Sequence, residues 1–114
     1  MAQEFDPLVD GCEAFLLSIR EGRYYDAHED FEVLWYPRRF EDNDEVRLWK
    51  GFINAAVSFE LIKRERPGPS RTAWNTYRKY CRLLGSFETP YYPLYVTIIR
   101  LIETQYRVLT AENQ

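Results

Sequence analysis

The single histidine, His28, stands four residues before Glu32 and seven before Trp35, with Tyr25 three residues ahead of it. At about 3.6 residues per turn, such separations fall on one face of a helix. An imidazole, a carboxylate and two aromatic rings would then share one stripe. His28 and Glu32 could place two ligands on a divalent cation, with Glu29 or, from another helix, Glu60 as a third. A set so rich in carboxylates suits Mg2+, Mn2+ or Fe better than structural zinc. One histidine excludes a His-only zinc site within one chain. A carboxylate beside an imidazole also fixes its tautomer, as a general base requires. The structural alternative is a polar network: His28 held by Glu32, with Tyr25 and Trp35 donating hydrogen bonds into the core of a bundle. These residue types favour the network over the metal. No Ser or Cys nucleophile is placed by spacing, and no Gly-rich phosphate loop is present.

Holding that stripe in place requires a helix from about Tyr24 to Trp35, ended by Pro37, which disfavours helical geometry at Tyr36. Tyr24, Ala27, Phe31 and Leu34 form its apolar stripe, and Asp26 and Asp30 are expected to face solvent. Before it, Asp6 as N-cap and Pro7 at N1 open a helix carrying Leu8, Cys12, Phe15, Leu16 and Ile19, with Gly22 at C′. After it, Asp42 and Glu45 have capping-box spacing before a long helix from about Asp44 to Arg64. Leu48, Phe52, Ala55, Phe59 and Ile62 form one apolar row there; Trp49, Ile53, Ala56 and Val57 form the next. So wide an apolar face belongs to a central helix. Gly51, Asn54, Ala55 and Ser58 are small enough to let a neighbour come close. Glu60 follows an apolar row and must be paired or reach water.

Pro67-Gly68-Pro69 reads as a break, with Ser70 capping a fourth helix that carries Ala73, Trp74, Tyr77, Cys81 and Leu84 and closes at Gly85. A fifth helix carries Tyr95, Ile98, Leu101, Ile102, Gln105, Tyr106 and Leu109, starting from Pro93 at N1 or Thr97 as N-cap, and should fray from Ala111 to Gln114. No strand-like alternation occurs. The pattern predicts an all-α, compact single-domain bundle of about five helices.

Composition narrows the function classes. With 46% hydrophobic and 17% aromatic residues over 114 positions, the chain can bury a core as one domain. Cys12 and Cys81 form no motif and read as reduced, packed thiols, which points to the cytoplasm. The first residues are acidic and lack an apolar h-region, so no secretory signal is expected. The longest apolar run, Tyr91 to Ile99, is interrupted by Pro93 and Thr97 and falls short of the ~18 residues of a membrane span. A net charge of -3 argues against general nucleic-acid binding. Residues 1–45 hold 13 acids and 4 bases, and the remainder 5 acids and 11 bases. Such halves pack on one another or pair in a homodimer. The basic segment 63–82 (Lys63, Arg64, Arg66, Arg71, Arg78, Lys79, Arg82) holds Trp74, Tyr77 and Tyr80 and offers a polyanion or RNA alternative. However, Trp74 and Tyr77 lie on the apolar stripe with Cys81 and Leu84, so a solvated basic face is the expectation.

With these residues in view, the chain resembles domain-of-unknown-function family 309, small bacterial and archaeal helical proteins with a His-x-x-x-Glu-x-x-Trp/Tyr signature. His28, Glu32 and Trp35 supply it, preceded by Gly22, Tyr24, Tyr25, Ala27 and followed by Glu29 after the histidine. A second block, Lys50-Gly51-Phe52-Ile53-Asn54-Ala55-Ala56-Val57, aligns with the family's Gln-Gly-apolar-apolar-Gln segment. The likeness spans roughly residues 22–84. It implies an all-α fold and suggests a metal role for the signature, with Tyr25, Trp35 and Asn54 as the pocket wall. Lys50 and Asn54 stand where Gln is usual, and Glu60 where a second His is expected, so a carboxylate would replace that ligand. Glu29-x-x-Glu32 is also similar to the carboxylate spacing of helical pyrophosphohydrolases, but Asp42 and Glu45, the only second pair, read as a helix start.

Overall fold

Backbone donors at a helix start need acceptors, and at two of its helices this chain supplies them from the short polar side chains of Asp6 and Asn43. The computed structural model describes residues 5–112, and all regular structure in them is helical. Helix α1 spans Pro7–Arg20, α2 Tyr24–Trp35, α3 Asp44–Lys63, α4 Pro67–Cys81 and α5 Tyr92–Glu112, with a 3-10 turn at Tyr36–Arg38 between α2 and α3. Asp6 caps α1 by accepting from the Leu8 and Val9 N–H groups at 3.0 and 3.4 Å. Gly22, at φ 74°, closes α1: its N–H donates to Ile19 O, and the Arg23 N–H donates to Ser18 O. That is the pattern in which a left-handed residue satisfies the last carbonyls of a helix.

The bounds of α2 and α3 match the reading of the sequence, but α4 ends at Cys81 and does not run on through Leu84 to Gly85, and details at the helix ends differ or are decided. Tyr36 stays helical, at ψ -45°, so α2 tightens into the 3-10 turn without breaking. Pro37 lies in the first turn of that element, where its missing N–H costs nothing. Asn43, not Asp42, caps α3: its Oδ1 accepts from the Glu45 and Val46 N–H groups at 2.8 and 3.3 Å. Asp42 pairs with Arg47 instead. The Pro67-Gly68-Pro69 stretch is the first turn of α4, not a break before it. Prolines there lose no hydrogen bond, and Ser70 is buried inside the helix rather than capping it. Helix α5 starts at Tyr92, so Pro93 and not Thr97 lies at its start; the Thr97 hydroxyl donates to Pro93 O within the helix. The expected fraying falls in part on residues 113–114, outside the described residues.

Helix α3 is the centre. Leu48, Trp49, Phe52, Ile53, Ala55, Ala56 and Phe59 are all buried on it. It packs between α2 and α4; α1 lies on α2, and α5 returns against α1 and α3. Phe15, Phe31 and Phe52 meet with ring centroids 5.1 to 6.2 Å apart, and Phe59 meets Trp74 at 6.0 Å. Fully burying each such ring stabilises the fold by roughly 1.5–3 kcal/mol. Two features bring α4 close to α3. A Cβ on Gly51 would lie 2.9 Å from Tyr80 Cβ. Farther along, the hydroxyls of buried Ser58 and Ser70 meet at 2.9 Å, and each also contacts the other's carbonyl at 3.0 Å.

The loop after α4 is tied down by hydroxyls donating to carboxylates at helix starts. Ser86 reaches Asp44 at 2.9 Å, Thr89 and Tyr95 reach Glu45 at 2.9 and 2.6 Å, and Tyr91 reaches Asp6 at 2.8 Å. The Trp49 indole N–H donates to the Tyr95 oxygen at 3.0 Å. Carboxylates near a helix N-terminus also complement its dipole. Cys12 is fully buried, which pushes its thiol pKa up to about 12; Cys81 is half-buried, and both are free.

Replacing Gly51 by Ala should lower the melting temperature even though Ala is the better helix former by ~1 kcal/mol. Overpacking against Tyr80 costs about 1–3 kcal/mol. Gly68→Ala, where no atom other than those of its chain neighbours and its own helix backbone lies within 4 Å, should cost less, retaining only the local penalty of a side chain before Pro69; thermal circular dichroism compares the two. The Tyr91 hydroxyl, chiefly, holds the Asp6 carboxyl below its ordinary range. The stabilisation is therefore complete above the unfolded-state pKa of about 3.9 and is lost as pH falls through the lower folded-state value. Tyr91→Phe should accordingly destabilise the protein at neutral pH, by a margin that shrinks in acid, as denaturant titrations at both pH values will show.

Candidate functional site

Helix α2 turns Tyr24, Ala27 and Phe31 into the core, leaving the neighbouring stripe at the surface. The predicted alignment holds there. His28 Nε2 lies 2.6 Å from Glu32 Oε2, one turn on, and Nδ1 lies 3.1 Å from the Tyr25 carbonyl oxygen, one turn back. The Tyr25 ring meets the imidazole edge-on, centroids 5.3 Å apart. The His28 side chain is 22% exposed and that of Glu32 42%. Both ring nitrogens face acceptors, so both contacts are hydrogen bonds only when two protons are shared along this line. In this arrangement neither nitrogen turns a lone pair toward open solvent.

The group sits beside a cleft of about 190 Å³ in which Tyr25 and His28 of α2 face Val57, Glu60, Leu61 and Arg64 of α3. Glu60 thus reaches the same cleft as His28, but Arg64 holds its carboxylate at 3.1 Å. The structure takes Glu29 elsewhere, into a cleft with Asp10, Arg23, Asp26 and Asp30. Asp30 is not solvent-facing as its spacing suggested. It accepts the Ser18 hydroxyl of α1 at 2.8 Å, and burial raises its pKa against that bond. Asn54 is half-buried and donates to Lys50 O of its own helix at 2.9 Å. Trp35 lies in another cleft, with Lys50 Nζ 5.8 Å from its ring and 5.9 Å from that of Tyr80. Among the described residues no three His, Cys, Asp or Glu side chains gather closely enough to hold a metal ion. His28 and Glu32 are brought together; of the predicted site residues, His28, Tyr25 and Glu60 line the cleft, and Glu29, Glu32, Trp35 and Asn54 do not.

The expected network is therefore at the surface, not in the core. Tyr25 is 56% exposed, and no hydrogen bond runs from it or Trp35 into the bundle among the described residues. The reason is geometric: a helix with one apolar stripe buries only that stripe, and the stripe beside it stays at the rim.

Sequence reasoning missed a second surface feature just beyond α2. Arg39 stacks its guanidinium 3.6 Å over the Tyr36 ring and 4.4 Å over Phe40. Phe40 is 87% exposed. With Trp35, Lys50 and Tyr80, Arg39 and Phe40 line an opening of about 350 Å³. The signal was available: three aromatics and two arginines within residues 35–40. On the basic segment, Tyr77 is fully buried and Trp74 nearly so, stacked on Tyr106, as their stripe predicted, so they form no exposed stacking platform for a nucleic-acid strand.

The fold and the signature define a small helical protein with a surface His–Glu pair on its second helix. The model for the domain of unknown function DUF309 matches residues 12–72, more than half of the chain. The chain belongs to this family. The match begins earlier than the signature and takes in most of α1 as well as α2, α3 and the start of α4. No curated protein and no solved structure matches it. No helix among the described residues is long and apolar enough to cross a membrane.

A partly exposed pair one helical turn apart contributes a few tenths of a kcal/mol to about 1 kcal/mol. His28→Ala, which also removes the Tyr25 contact, should cost about 1 kcal/mol in urea denaturation, and Glu32→Gln less, with helical content unchanged in both. A loss of several kcal/mol would show that the pair bears core packing.

Proposed function

We propose that the protein is a non-enzymatic interaction module acting as a homodimer, with His28 and Glu32 bracing α2 beside the contact surface. The observation that carries this is the occupation of both His28 nitrogens by acceptors. A metal ligand or general base needs one of them turned toward its ion or substrate; reaching either role requires Nε2 to leave Glu32. The surface that the brace adjoins has the composition of a contact site. Tyr36 and Phe40 are exposed, with the half-buried Arg39 guanidinium stacked on both rings, and these residue types anchor protein interfaces. Both signs of charge alternate there, Arg38 with Glu41 and Arg47 with Asp42 and Asp44. A mixed patch of this kind can meet a second copy of itself across a two-fold axis.

Sedimentation equilibrium tests this reading. The expected mass is about twice the chain's 13.7 kDa, falling to that of one chain in Phe40→Asp with an unchanged circular dichroism spectrum. Metal analysis of protein purified without chelator should find no stoichiometric ion in wild type or Glu32→Gln. A monomeric wild type, or a dimer untouched by Phe40→Asp, would overturn the dimer. A stoichiometric ion lost in Glu32→Gln would restore the metal reading.

A further inference from the structure

The turn between α3 and α4 repeats the closure of α1 with one change. The Glu65 N–H donates to Ile62 O and the Arg66 N–H to Leu61 O, both at 2.9 Å, as Gly22 and Arg23 do after α1. The left-handed position that α1 gives to Gly22 is occupied here by Glu65, at φ 59°. A side chain in that conformation costs roughly 1–2 kcal/mol, which Gly avoids. Strain of this kind persists where the surrounding structure holds it, as the two turn hydrogen bonds do here, and it clusters at functional sites.

Glu65 opens onto a cavity of about 510 Å³ between this turn and the C-terminal part of α5. Arg66 and Arg71 stand with it at the mouth, and Trp74 and Tyr106 form an apolar wall, their rings stacked 3.7 Å apart and parallel within 2°. Among the described residues none of Glu65, Arg66 and Arg71 takes part in an ion pair, whereas the nearby Arg64 is held by Glu60. Two unpaired guanidiniums and a carboxylate beside an aromatic wall form a mixed polar rim on an apolar pocket, the usual build of a small-molecule site. The volume suits a ligand of nucleotide size or smaller.

We infer that this cavity, which shares no lining residue with the His28 cleft, binds a planar aromatic anion that carries an N–H donor. Arg66 and Arg71 take the anionic group, since guanidinium forks match carboxylate and phosphate oxygens. Glu65 accepts from the donor. The ring enters the apolar part of the cavity beside the stacked Trp74–Tyr106 pair, whose facing surfaces are already taken by each other. A carboxylate on the ring or a phosphate linked to it would satisfy the same groups, and the two sources differ in the probe they favour.

Calorimetric titration with anthranilate and with adenosine 5′-monophosphate distinguishes these sources, with aniline and adenosine as the uncharged counterparts. At least one anion should bind saturably, about tenfold or more tighter than its counterpart. Saturable binding of anthranilate alone assigns a carboxylate, and of the nucleotide alone a phosphate. Arg66→Ala and Arg71→Ala, both exposed positions, should each weaken binding by about tenfold with unchanged melting temperature. Glu65→Gly should raise the melting temperature yet weaken the bound anion, separating the strain from the use. Failure of both anions to saturate would overturn the inference. So would equal binding of charged and uncharged probes, or affinities indifferent to both arginine variants.

Discussion

The closeness of α3 and α4 is the constraint on which the rest of this bundle depends. Gly51 leaves no room for even a methyl group against Tyr80, and the Ser58–Ser70 pair satisfies two buried hydroxyls while adding almost no bulk. Buried hydroxyls without partners would each cost roughly 1–3 kcal/mol; here each answers the other. With α4 drawn in, Trp74 and Tyr77 reach the core beside Phe59 and the far flank of α3 is closed. That contact also sets where the α3–α4 turn lies. The arginine-rimmed cavity is a consequence of it, because the turn and the end of α5 meet over Trp74.

At the opposite end, the uneven charge of the chain finds a local explanation. Asp6, Asp44 and Glu45 belong to the acid-rich first half, yet their partners across the fold are hydroxyls, not bases. The positive residues of α4 do not answer these acids. Arg71, Arg78, Lys79 and Arg82 remain on an exposed face. Charge asymmetry along the sequence therefore becomes pairing between halves only locally, where Arg47 meets Asp42 and Asp44; capping and hydroxyl donation answer the other acids named here, and the bases of α4 stay in water, where exposed pairs are worth little.

Much of the architecture was legible because it is local. Apolar residues at helical spacing marked all five helices, and Gly22 and Pro7 marked two of their ends. The errors came where a residue has two permitted roles. Pro67 and Pro69 can interrupt a helix or begin one, and Ser70 can cap or be buried; only a partner such as Ser58 decides. Asp42 and Asn43 are both competent caps, and Arg47 removed the first from contention. Asp30 looked solvated until α1 brought Ser18 to it.

By itself the sequence determined the His28–Glu32 contact, since residues four apart on a helix are neighbours whatever the rest of the chain does. It also determined the all-α class, since the apolar period is a property of the chain. Tertiary structure alone decided how far that stripe extends as a site. It set His28 beside Glu60 but turned Trp35 toward Lys50 and Glu29 toward another cleft. Residues on separate helices meet only through the packing of side chains between them, and spacing along the chain carries no measure of that distance.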